Sequence, residues 1–189
     1  MTNQELANAA KDYITVQTCY DKGFWCQYMS KQEYSRVLQM YPENARYGNE
    51  KYCNTDIYAA DCICWIKQLL GGGRVGRRLS YNEMSHNPVG DCTNKQFKAK
   101  LYDLIKTSAP PAGYGLATDS HAALSLGDGK WIDCNYGNGQ NGVLVHSGGV
   151  PDYFTIGKIP GVEYTDDKEQ ERKILTDFCN WIIMMYLDQ

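Results

Sequence analysis

A thiol, an imidazole and a carboxylate occur in this chain in an order that could carry out acyl transfer. Cys62 follows Asp61 at the head of a nearly all-apolar stretch, Ile63-Cys64-Trp65-Ile66-Lys67-Gln68-Leu69-Leu70, which stops at Gly71-Gly72-Gly73. The stretch predicts a short buried helix with a glycine stop. A thiol in its first turn would meet free backbone N–H groups and the positive end of the helix dipole, both of which favour a thiolate. A free thiol is only about 3% ionised at neutral pH, so a nucleophilic cysteine needs an imidazole beside it. Of the three histidines, His86 sits in an irregular segment and His146 ends a late strand, whereas His121 opens the strand-like run Ala122-Ala123-Leu124-Ser125-Leu126. His121 is the best placed.

The hairpin after His121 decides which side chains share its face. With Gly127-Asp128-Gly129 as a three-residue loop, Leu126 pairs with Lys130, Asp133 falls opposite Ala123 and His121 opposite Asn135. His121, Ala123, Trp131, Asp133 and Asn135 then lie on one face, with Asp133 diagonal to His121 and within side-chain reach. A two-residue loop would turn Cys134 and Tyr136 to that face instead. In the first register the sheet offers a base and a group to orient it, and small Ala123 leaves room for the helix that carries Cys62. That is the arrangement of a thiol hydrolase.

The elements that must position these groups follow from periodicity. Asn3 to Ile14 reads as an amphipathic first helix, with Leu6, Ala7, Ala10, Tyr13 and Ile14 on one face. The stretch near 20–56 is rich in Tyr, Gly and Asn and reads as an irregular insertion lining a cleft. Within it a short helix, capped by Ser30 and Glu33, ends before Pro42. Arg74 to Thr93 shows no clear period. Lys95 to Ser108 reads as a surface helix built on Phe97, Leu101, Leu104 and Ile105, ended by Pro110-Pro111. Five short strand-like runs follow, at Tyr114 to Thr118, His121 to Leu126, Lys130 to Cys134, Gly142 to His146 and Tyr153 to Gly157. A charged start and spaced apolar residues near 166–187 predict a closing helix. The expectation is a single α+β domain over 1–189, with a helix packed on a meandering antiparallel sheet.

Composition narrows the functional classes. The 189 residues carry a formal charge of −3 with no long basic run, so no nucleic-acid partner is expected. The longest apolar run, Trp181 to Leu187, is far short of the roughly 20 residues a bilayer requires, so no membrane insertion is expected. The first residues lack a basic start and an apolar core of secretory type, which leads to the expectation of cytoplasmic synthesis and of eight cysteines held as thiols. Their spacing never gives two short pairs of zinc-ribbon type, so no metal or other cofactor is expected.

These residues resemble the NlpC-type papain-like peptidoglycan peptidases. An Asp-Cys pair opening a helix, a His leading a strand into the Gly127-Asp128-Gly129 hairpin, and a polar residue twelve positions beyond the His are that family's pattern, and the last lands on Asp133. Thr18-Cys19-Tyr20-Asp21-Lys22-Gly23 looks like the family segment whose Tyr lies beside the nucleophile. The resemblance runs from about Ala7 to Val145 and is closest to the single-domain endolysins of bacteriophages. It implies a papain-like fold, with Cys62, His121 and Asp133 catalytic and Tyr20 and Asn135 in the substrate site. It also implies a stem-peptide amide as substrate, and action on the cell wall after release from the host cytoplasm. The usual Ser-Gly after the nucleophile is Ile63-Cys64 here, which makes Cys64 a rival thiol. Two residues along a helix turn a side chain by roughly 200°, so both thiols cannot face His121. The competing readings are a CHAP-type amidase or a delivered wall-amidase toxin, which share the Cys, His, acid order, and a non-catalytic, zinc-stabilised wall-binding module. Taken alone, Cys62 would be read as a buried small hydrophobe, His121 as a satisfied strand histidine, Asp133 as a turn-proximal surface acid and Asn135 as a hydrogen-bonding loop residue.

Overall fold

The computed structural model describes residues 1–77, 79–137, 139–165 and 176, with the backbone alone at Cys26 and Tyr81. The helix expected near 166–187 lies outside the described residues. The chain begins with α1 (Asn3–Asp12), whose Thr2 side chain and Glu5 form a reciprocal cap at its start. Two short strands, β1 (Thr18–Tyr20) and β2 (Trp25–Tyr28), lead into α2 (Lys31–Met40), and the predicted Ser30–Glu33 capping box is present. Two 3-10 turns, Pro42–Tyr47 and Asn49–Tyr52, precede β3 (Tyr58–Ala60), and α3 (Cys62–Leu70) follows after a single residue.

The stretch near 20–56 is therefore more regular than expected. β3 lies between β1 and β2, parallel to the first and antiparallel to the second. Its three residues are all buried, so no alternation of polar and apolar side chains marked it as a strand.

After α3 come α4 (Tyr81–Ser85), capped by Ser80 and Glu83, and α5 (Asn94–Lys100). The helix expected from Lys95 to Ser108 ends early. Leu101 leaves helical geometry at ψ 137, and β4 (Tyr102–Ile105) takes over. Phe97 and Leu101 belong to the main core, whereas Ile105 packs on a different apolar cluster and Leu104 is exposed. One apparent helical stripe thus divides between two layers.

The remaining strands, β5 (Gly115–Ala117), β6 (Ala122–Gly127), β7 (Lys130–Gly137), β8 (Gln140–His146) and β9 (Thr155–Lys158), join β4 in a six-stranded antiparallel sheet of order β4-β9-β5-β6-β7-β8. Asp133 pairs with Ala123, as the hairpin count requires, although by another route. Gly127 pairs with Lys130 across a two-residue turn, and Leu126 is the extra residue of a bulge. Asp128 and Gly129 both have positive φ, which such a tight turn demands. The bulge restores the parity that the shorter turn would have lost.

One face of this sheet receives α3. Trp65, Ile66 and Leu69 pack with Leu6 and Ala10 of α1, with Tyr13 just beyond it, and with Leu124, Ile132 and Cys134 of the sheet. Ala123 lies on the opposite face with Leu116, Trp131, Val150, Phe154 and Ile156, so it does not make room for the helix as expected. The protein is an α+β domain with its principal core between α3 and the antiparallel sheet.

Candidate functional site

Asp61 links β3 to α3 and fixes where the thiol sits. Its side chain accepts the N–H of Cys64 at 2.7 Å, capping the helix, and that of Gly23 at 3.1 Å, tying the β1–β2 turn to the helix start. Gly23 has φ +79, and a Cβ there would meet the Tyr41 ring at 2.6 Å, so the turn needs glycine. Cys62 occupies the first helical position, where its N–H has no intrahelical partner. Its side chain is buried at the floor of an open cleft of about 550 Å³.

His121 stands just before β6. Its N–H donates to Thr118 Oγ1 at 3.0 Å and its carbonyl accepts the Thr118 N–H at 2.8 Å, a turn that pins the residue at the strand end. From this end the ring reaches the helix start although its strand neighbour Ala123 faces the other way. His121 Nε2 lies 2.7 Å from Asp133 Oδ2. Nε2–H donates there, which leaves Nδ1 as the nitrogen that meets the Cys62 thiol. Burial alone would depress the imidazole, but hydrogen bonds to Asp133 and Cys62 and the charges of both outweigh it, pushing the His121 pKa up to about 10.

Asp133 is fully buried, and both its oxygens are engaged by imidazoles. His146 Nε2 lies 2.9 Å from Oδ1, and the His146 ring stacks on Trp131 with centroids 3.8 Å apart and planes 15° from parallel. The stack follows from register, because Trp131 and His146 are direct partners across β7 and β8. Sequence reasoning passed over His146 because it examined only the first hairpin. Counting β8 against β7 in the same way is the signal that could have found it.

The structure brings Cys62, His121, Asp133 and Tyr20 together, with Asn135 two residues beyond Asp133 on β7. Tyr20, at the end of β1, lines the cleft and packs edge-on against Tyr47 at 5.3 Å. Burial, reinforced by the neighbouring Cys62 and Asp61 charges, holds its phenol protonated far above the usual range. The β1 strand is anchored to the large sheet, with Asn141 Oδ1 accepting the Tyr20 N–H at 2.7 Å and Thr18 Oγ1 accepting that of Val143 at 2.7 Å. Asn135 turns its Oδ1 back onto the Tyr136 N–H at 2.7 Å and is not among the residues that line the cleft beside Cys62.

Cys64 joins the main core, and burial followed by the nearby Asp61 charge raises its thiol well above the ordinary value. Of the two thiols, Cys62 is the one against His121. A residue absent from the sequence reading, Asn94 at the start of α5, places Oδ1 3.6 Å from Cys62 Sγ. A larger groove of about 750 Å³ is lined by no thiol or imidazole among the described residues, and its Phe154 ring lies 6.3 Å from that of His121. Among the described residues no three His, Cys, Asp or Glu side chains converge as metal ligands, and no helix is long and apolar enough to cross a membrane. Comparison with protein-family models, with curated proteins and with solved structures finds no significant match to this chain.

Proposed function

We propose that the protein is a cysteine-dependent peptidoglycan hydrolase of papain-like, NlpC type that cuts an amide bond of the wall's stem peptide. The observation that carries this reading is the buried Asp133 carboxylate holding His121 by Nε2 while the Cys62 thiol, at a helix start, meets the same ring. His121 takes the Cys62 proton, and the thiolate attacks the substrate carbonyl to give a tetrahedral oxyanion beside the Cys62 N–H. Collapse breaks the C–N bond as His121 protonates the departing amine, leaving a thioester on Sγ. Water, deprotonated by His121, then attacks the thioester and releases the acid and the thiol. Asp133 keeps the imidazole in the working tautomer and stabilises its cation. The order of the residues, the Tyr20 ring beside the thiol and the open cleft support a peptide substrate of this class.

The test is a turbidity assay on purified bacterial walls, with mass spectrometry of released fragments, comparing the native protein with Cys62→Ala and His121→Ala. Fragments from the native protein alone are expected, and they identify the bond. Full lytic activity in Cys62→Ala would refute the assignment.

A further inference from the structure

In acyl transfer through Cys62 the carbonyl oxygen becomes an oxyanion, which donors aimed at it stabilise, and the backbone N–H of Cys62 at the helix start is one such donor. Asp91, Cys92, Thr93, Asn94 and Gln96 line the same cleft as Cys62, and Asn94 Oδ1 lies 3.6 Å from Sγ. Its α5 position is fixed by the Thr93 cap, in which Thr93 Oγ1 and the Gln96 side chain satisfy one another's backbone N–H groups. Asn94 is therefore held on a separately capped element, whose lead-in is tied to α3 by the Lys67–Asp91 ion pair at 2.6 Å.

We propose that Asn94 is a catalytic residue, the second oxyanion donor of this site, acting through its side-chain N–H together with the backbone N–H of Cys62. The inference rests on the acyl-transfer reading above. With the thiol protonated, Asn94 Oδ1 accepts its proton at 3.6 Å. Once Cys62 is a thiolate, a carbonyl oxygen facing it is repelled, and a half-turn of the planar amide presents Nδ2–H instead. When the thiolate bonds to the substrate carbon, the C=O electron pair moves onto oxygen, which then sits one bond beyond the carbon attached to Sγ. A donor about 3.6 Å from the sulfur is within hydrogen-bond reach of that oxygen, which an oxyanion donor must be. The Cys62 N–H comes from the start of α3 and the amide from α5, and both lie beside the one sulfur next to which the charge develops.

The experiment separates acylation from alkylation at the same thiol. p-Nitrophenyl acetate transfers its acetyl group to Sγ through a tetrahedral oxyanion and releases p-nitrophenolate. Iodoacetamide alkylates Sγ by displacing iodide, with no oxyanion. Burst rates are measured for native protein, Asn94→Ala and the near-isosteric Asn94→Asp, with Cys62→Ala subtracted as background. Both Asn94 variants should acylate on the order of 10²-fold more slowly, while Cys62 alkylation in Asn94→Ala stays within about threefold of native, which also reports a folded site. Acylation within about threefold of native in both variants would overturn the proposal, as would a parallel loss of both rates. The absence of a Cys62-dependent burst in the native protein would overturn it together with the acyl-transfer chemistry. A normal burst that falls in the variants, from a protein that releases nothing from walls, would uphold Asn94 and refute peptidoglycan as the substrate.

Discussion

Replacing Asp133 with Asn removes one negative charge at nearly constant shape, and the structure sets the size of the effect. His121 is held near pKa 10, more than three units above the usual 6.5, and its side chain is 22% exposed. At 1.36 kcal/mol per unit the imidazolium is favoured by about 5 kcal/mol, shared between Asp133 and the Cys62 thiolate. Asp133→Asn removes both a hydrogen bond and a charge that hold the imidazolium against the cost of burial, so it should lower the His121 midpoint. An amide also presents an N–H to one of the two Nε2 atoms, which must then give up its own proton. If that ring is His121, its proton moves to Nδ1, and it can no longer accept one from Cys62. A fall in turnover of about 10³-fold or more is expected, as wrong-tautomer substitutions produce. The assay is NMR titration of the His121 ring, with iodoacetamide alkylation of Cys62 followed at pH 6. The native midpoint should lie near 10 and the variant clearly below it, with slower alkylation in the variant. A variant midpoint within half a unit of native would show that the buried carboxylate does not set the state of His121. The raised pKa also makes a linkage prediction. Its stabilising contribution is complete below about 6.5 and is lost as pH rises through about 10, so native stability should fall over that window and Asp133→Asn should fall less.

Three other substitutions probe the surroundings. His146→Ala strips a buried carboxylate oxygen of its donor and unstacks Trp131, and should cost about 2 kcal/mol in urea unfolding, with His146→Gln recovering part of it. Asp21 is fully buried, one oxygen has no partner, and burial pushes its pKa up to about 7 against the Asn49 hydrogen bond. A raised carboxyl loses stability as pH climbs from about 4 to 7, so Asp21→Asn should raise the melting temperature at pH 8 by several degrees and leave it little changed at pH 4. Gly113 has φ +77, and a Cβ would meet the Asn3 carbonyl oxygen at 2.3 Å, so Gly113→Ala should cost about 2 kcal/mol or more by displacing the start of α1, read as a lower denaturant midpoint.

The parts of the site that were legible in sequence depend on local rules. Asp61 and Cys62 could be read because a cap and an apolar run define a helix start. Asp133 could be paired with Ala123 because strand parity was correct, even though a bulge at Leu126 rather than a longer turn preserves it. What escaped depends on contacts between elements. The side of the sheet that takes α3 cannot be chosen from β6, whose two faces carry Ala122 and Leu124 against Ala123 and Ser125, all apolar or small. β4 was hidden because residues serving two layers happened to fall at helical spacing. Asn94 reaches Cys62 across 32 residues through a short helix whose own pattern says nothing about its neighbours.

The reactive centre is assembled from Tyr20 on β1, Cys62 on α3, Asn94 on α5 and the Asp133–His121–His146 bridge across the large sheet. None of these groups perturbs the sulfur while the chain is extended. A nascent or unfolded copy therefore presents Cys62 as one ordinary thiol among eight, with no greater reactivity than the rest. On the proposed mechanism competence needs all of these segments docked, so the centre that would act on a substrate does not exist until the chain has folded.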